Sequence, residues 1–83
     1  MAENILATAI LQMGRMRKGS TFCPSEVVRW IYPQDWRYFM EDVRSVMMEL
    51  YRQGLIEVTQ QGKAIDPDKP PKGPVRISCK LLA

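Results

Sequence analysis

Along the first half of the chain apolar side chains recur every three or four residues, and from Leu55 onward they alternate. That change of period predicts helices followed by a hairpin. Ile5, Leu6, Ala9, Ile10, Met13 and Met16 form one stripe, which predicts a first helix over Glu3–Lys18. Arg15, Arg17 and Lys18 crowd its last turn, where cations favour the negative end of the helix dipole, and Gly19 is expected to supply the left-handed cap. Gly14 within it costs up to about 1 kcal/mol relative to alanine, so a neighbour is expected to pack closely there.

Ser20-Thr21-Phe22 is β-prone and short, a candidate strand against the base of the hairpin. Pro24 suits the first position of a helix, where a missing N–H does no harm, and Glu26 can fold back on the N-cap, Cys23. A second helix is therefore expected over Pro24–Ile31, with Val27, Val28 and Ile31 inward and Arg29 outward. Pro33 breaks it. A third helix, Asp35–Gln53 with Asp35 as cap, places Trp36, Phe39, Met40, Val43, Val46, Met47, Leu50 and Tyr51 on one broad core face. Gly54 ends it, with Leu55 returning to Leu50. The hairpin is expected to pair Ile56–Gln60 with Val75–Cys79, with a turn at Gln61-Gly62, a brief strand at Lys63–Ile65 and a stiff, proline-rich loop from Asp66 to Pro74. Few apolar side chains tie that loop down, so its tip, Asp66 to Lys72, is expected to be loosely held.

Three helices, a small strand between the first two, and a C-terminal hairpin wing make an α+β winged helix, a single domain over residues 1–83. The size agrees, because a chain of 83 residues has mass for one core. A hydrophobic fraction of 46% with 25% charged residues excludes disordered and collagen-like classes.

Chemistry is sparse. With no histidine and two isolated cysteines, the chain offers neither a set of zinc ligands nor an imidazole base, so no enzymatic role, metal or cofactor is expected. Cys23 reads either as a reactive thiol or as a small inert cap, and the absence of an activating histidine favours the cap. No stretch is long and apolar enough to span a membrane, and two cysteines without a secretory leader lead to the expectation of a cytoplasmic location.

The segments TFCPSEVVRW (Thr21–Trp30), DWRYFMEDVR (Asp35–Arg44), GLIEVTQQGKAIDP (Gly54–Pro67) and GPVRIS (Gly73–Ser78) resemble the small bacterial winged-helix family known as domain of unknown function 3253. With the first helix, the resemblance covers nearly the whole chain. It implies the winged-helix fold and a bacterial source, and it implies no mechanism.

Two functions follow from the fold. In the first, nucleic-acid binding, helix 35–53 enters the major groove of double-stranded DNA and the wing, 61–74, meets the backbone, with Arg29, Arg37, Arg44, Lys63, Lys72 and Arg76 as the contacts. A net charge of +3 leans that way. In the second, the same face is a protein-interaction surface centred on Tyr38 and Met48, apolar groups on an otherwise polar helix side. Glu41, Asp42 and Glu49 match Arg37, Arg44 and Arg52, which keeps that side neutral, and Glu41 stands at ion-pair spacing from both Arg37 and Arg44. No helix is left over to build a large interface, so a monomer or weak dimer is expected.

Overall fold

A computed structural model describes residues 4–79. It contains α1 (Ile5–Arg17), α2 (Pro24–Ile31), a 3₁₀ turn (Trp36–Phe39), α3 (Met40–Arg52), β1 (Ile56–Gln60), β2 (Lys63–Ala64) and β3 (Arg76–Cys79). The three strands form an antiparallel sheet in the order β2-β1-β3. Three helices with this sheet are the α+β, winged-helix-like arrangement the sequence implied.

Asn4 starts α1, its side-chain oxygen accepting from the backbone N–H groups of Leu6 (3.0 Å) and Ala7 (3.3 Å). Leu6, Ala9, Ile10 and Met13 are buried, whereas Ile5 and Met16, at the two ends of the expected stripe, are exposed. The left-handed ending starts one residue earlier than expected, with Lys18 at φ 51° and Gly19 at φ 92°. The close neighbour of Gly14 is Cys79 of β3: a Cβ at position 14 would lie 2.5 Å from the Cys79 Cβ and collide with its sulfur. Glycine here lets the first helix meet the last strand.

Phe22 is fully buried and exchanges both backbone hydrogen bonds with Ile77, the short first strand that was expected. The second helix has the expected bounds. Glu26 accepts from the Cys23 N–H at 2.7 Å and from Arg17 at 2.8 Å, so one carboxylate closes the start of α2 and ties it to the end of α1. The backbone hydrogen bond from Cys23, helped by Arg17, holds its pKa below the ordinary glutamate value.

The third helix differs from expectation at its start. Asp35 makes no side-chain cap, and Trp36–Phe39 is wound as 3₁₀, with the Tyr38 N–H reaching the Asp35 carbonyl. Tighter winding eclipses residues three apart, which sets Trp36 and Phe39 inward together. Phe39 then stacks on Tyr32 at 4.1 Å between centroids, and Trp36, partly buried, packs against the core as expected, at its margin. Val43, Met47 and Leu50 do face inward. At the far end Gly54 takes φ 78° and Leu55 donates to the Leu50 carbonyl, the expected helix ending.

Gln61 and Gly62, both at positive φ, make the two-residue turn from β1 to β2. The pairing of β1 with β3 sets Ile56 against Cys79 and Val58 against Ile77, so one face of the hairpin closes the core. Val75 is buried, but it precedes the strand rather than opening it.

Candidate interaction surface

Pro67, Pro70, Pro71 and Pro74 have no N–H, so the loop between β2 and β3 is rich in acceptors and poor in donors. The chain meets it with donor side chains. Tyr51 donates its hydroxyl to the Ile65 carbonyl (2.6 Å), and Arg52 reaches the Pro67 carbonyl (3.3 Å). Arg44 donates to the carbonyls of Pro71 (2.9 Å) and Gly73 (3.0 Å), while Gln60 donates to those of Lys72 (2.6 Å) and Pro74 (3.2 Å). Along this segment, which bends at Gly73 (φ 87°), alternate carbonyls go to α3 and to β1. The wing is thus clamped onto the third helix and β1 on both sides of its tip, while Asp68 and Lys69 at the tip bond only to Asp66.

This clamp involves two of the residues expected at a binding surface. Arg44 holds the wing through two carbonyls of a segment short of backbone donors of its own. Met48, expected at a protein-binding surface, is 4% exposed and lines the same cleft as Pro70 and Pro71. Arg76 is also engaged within the chain, donating to the hydroxyl and the carbonyl of Thr21, each at 3.1 Å, and so binding the sheet to the α1–α2 connection. Lys63 and Lys72 are exposed on the wing. Glu41 forms neither expected ion pair; among the described residues the pairs are Arg17–Glu26 and Glu49–Arg52.

Arg29 and Arg37 are arranged differently. The guanidinium carbon of Arg29 stands 4.2 Å from the Trp36 ring centroid and that of Arg37 stands 4.9 Å from it. Two cations sharing one ring lie within about 9 Å of each other, where they repel by roughly 0.5–2 kcal/mol depending on the local dielectric. Each is attracted to the ring face by a comparable amount. Stacking uses the face of a guanidinium and leaves its N–H edge available, and no hydrogen bond occupies either edge among the described residues.

Beside them in sequence stand Trp30, 48% exposed, and Tyr38, 83% exposed. The corner where α2 meets the 3₁₀ turn before α3 thus presents the Arg29–Trp36–Arg37 stack, with exposed Trp30 and Tyr38 adjoining it in sequence. Exposed Asp35 precedes the stack in sequence, whereas Glu41 lines the cleft of Arg44, Met48, Pro70 and Pro71, and Asp42 lines a groove with Asn4, Ile5, Tyr32 and Phe39. Arg29, Arg37 and Tyr38 were legible as candidates in the sequence. The stacking of Arg29 and Arg37 on Trp36 was not legible there, although its packing against the core was.

The two thiols are free and half-buried. Cys23 accepts from the Ser25 hydroxyl at 3.2 Å, and burial pushes the Cys79 thiol above its usual pKa. Among the described residues no cluster of His, Cys, Asp and Glu could hold a metal ion, and no helix is long and apolar enough to cross a membrane.

Residues 3–80 match the profile of a family described as a protein of unknown function, DUF3253, and the chain belongs to that family. No curated protein matches it.

Proposed function

Membership of this family fixes no chemistry, and from the geometry we propose that the domain is a protein-interaction module that docks through the α2–α3 corner. The observation that carries this reading is the exposure of Trp30 and Tyr38 on α2 and the 3₁₀ turn, beside the Arg29–Trp36–Arg37 stack that joins those two elements. Tryptophan, tyrosine and arginine are the side chains that dominate binding energy at protein interfaces. Fixed on two helices, they lose little freedom when a partner arrives.

Duplex DNA is the second reading, favoured by exposed Lys63 and Lys72 on the wing together with Arg29 and Arg37. Arg44 and Arg76 do not join them while they serve the fold. Four phosphate contacts give a slope of log K against log salt of about −3.6, and sequence-independent binding of about 10⁻⁴ to 10⁻⁶ M. The clamped wing also covers Met48 and occupies Arg44 near the middle of α3, which narrows the face that helix can offer to a groove.

The test is a photo-cross-linking residue at position 38 in the source cell. The reading predicts discrete protein adducts that Trp30→Glu abolishes. Adducts sensitive to nuclease, or none above the background of a probe at Glu57, would overturn it.

A further inference from the structure

We infer that the end of the molecule built by the last turn of α1, the α1–α2 connection and β3 binds the phosphodiester backbone of a nucleic-acid duplex, with Arg15 and Lys18 as the phosphate contacts. This goes beyond the protein-interaction reading and uses none of its residues. It also differs from the duplex reading on α3 and the wing, since it places the nucleic acid on another face.

The distribution of charge carries it. Arg15, Arg17 and Lys18 are exposed at the end of α1, and Arg76 is exposed on β3. Contacts bring them to one end of the fold: Arg17 pairs with Glu26 at the start of α2, Arg76 bonds to Thr21, and Gly14 lets α1 touch β3 at Cys79. Besides the Cys23 N–H, both Arg17 and Arg76 stabilise the Glu26 carboxylate, and Arg15 works against the burial that raises the Cys79 pKa. Four cations therefore meet one carboxylate. The other seven cations among residues 4–79 are matched in number by the other seven carboxylates, so the excess of +3 resides at this end. Glu57, which the strand register sets opposite Ser78, is the next acid along the sheet and forms no ion pair among the described residues. Arg17 and Arg76 are spent on Glu26 and Thr21 and contribute their field, whereas no hydrogen bond or ion pair among the described residues occupies the side chains of Arg15 and Lys18.

The surroundings select the polyanion. A protein or membrane partner needs an apolar patch beside the cations, and the turn that carries Arg15 and Arg17 exposes Met16 alone. A single strand needs aromatic faces on which its bases stack, but Phe22 in this connection is fully buried, and exposed Trp30 and Tyr38 belong to the far end of α2 and the 3₁₀ turn. A duplex backbone needs neither. It is met by cations and by hydroxyls such as those of exposed Ser20 and Thr21.

The probes are a random-sequence DNA duplex, polyglutamate of equal total charge and vesicles containing phosphatidylserine, each titrated into the isotope-labelled domain while its amide signals are followed. The duplex is expected to shift signals from Arg15 to Thr21, with a slope of log K against log salt of about −2 to −3 for two or three phosphates. Arg15→Gln combined with Lys18→Asn, asparagine being suited to the left-handed backbone at position 18, should lower affinity at low salt at least about tenfold and reduce the slope by about 2. Arg15→Lys with Lys18→Arg keeps both charges and should bind like the parent, and Arg37→Gln with Lys72→Gln should leave binding unchanged. A loss in the charge-preserving pair as large as in the neutral pair would overturn the phosphate contacts. Shifts along Arg37 to Met48, with affinity indifferent to the neutral pair, would overturn this face in favour of α3 and the wing. Tighter binding to polyglutamate or vesicles than to the duplex would overturn the phosphodiester partner, and absence of duplex binding at low salt would overturn the proposal outright. None of these results bears on cross-linking from position 38, so the two readings fail separately.

Discussion

Replacing Arg44 by methionine keeps most of the bulk along α3 but removes the two hydrogen bonds to the carbonyls of Pro71 and Gly73. A hydrogen bond from a charged donor contributes about 1.5–3 kcal/mol when the acceptor is left without a partner, but these carbonyls can turn to water, so the pair together is worth about 1–2 kcal/mol. Release of the wing also uncovers Met48, and exposing about half of it adds roughly 1 kcal/mol. Wing attachment should therefore weaken by about 2–3 kcal/mol, a shift of roughly 30- to 150-fold between closed and open forms. Overall stability falls by less, because the core beneath β1 and β3 does not depend on the loop. Amide relaxation at Lys72 and Gly73 and the Met48 methyl signal report the change, and Gln60→Ala should couple to Arg44→Met by at least about 0.5 kcal/mol, since the two residues hold alternate carbonyls of one segment. A Met48 signal and loop relaxation unchanged in Arg44→Met would refute the clamp.

Gly14→Ala should destabilise the domain by about 1–2 kcal/mol in urea titration, the gain in helix propensity being outweighed by overpacking against Cys79, and Cys79→Ala should recover part of it; a neutral or stabilised Gly14→Ala would contradict the contact. Trp36→Ala should cost about 1.5–3 kcal/mol, less than a core tryptophan, because the ring is only half-buried. Tyr38→Ser should leave stability within about 0.5 kcal/mol, and a larger loss would show that the corner belongs to the fold rather than to a partner. Glu26 has a depressed folded-state pKa, so its contribution is present above the unfolded value of 4.5 and is lost as pH falls through the lower folded value. Its side chain is 37% exposed, which limits the effect to under about 1 kcal/mol, and Glu26→Gln should flatten stability against pH in that window.

Local chemistry made most of the fold legible. Cys23-Pro24 with Glu26 three residues on marks the start of α2 because each meets a need of a helix terminus, and Gly54 and Gly62 stand where positive φ was required. Phe22 could be placed against the hairpin because a lone β-prone triplet before a capped helix has one sheet to join. The clamp on the wing was not legible because the expectation counted apolar anchors, whereas its prolines turn the backbone into a row of acceptors. Which donors meet them depends on contacts 27 and 29 residues away for Arg44, and helical periodicity carries no information at that range. The burial of Met48 has the same origin: its angle on α3 points away from the core, yet the folded-back loop buries it. Trp36 packs against the core as its place in the apolar stripe implied, but its stacking with Arg29 was not legible because the start of the third helix is wound as 3₁₀.

The central claim is that Arg44 and Arg76 are committed to the fold while Arg29 and Arg37 keep free edges for a partner. Rotation of each guanidinium group about its Cζ–Nε bond, measured by NMR on the free domain, tests this most directly. A guanidinium held by two acceptors rotates slowly, whereas one that only rests on a ring face exchanges its N–H groups with water and turns quickly. Slow rotation at Arg44 and Arg76 with fast rotation at Arg29 and Arg37 is the predicted result. Fast rotation at Arg44, equal to that at Arg29, would contradict the account, because the wing would then be unclamped and the middle of α3 open.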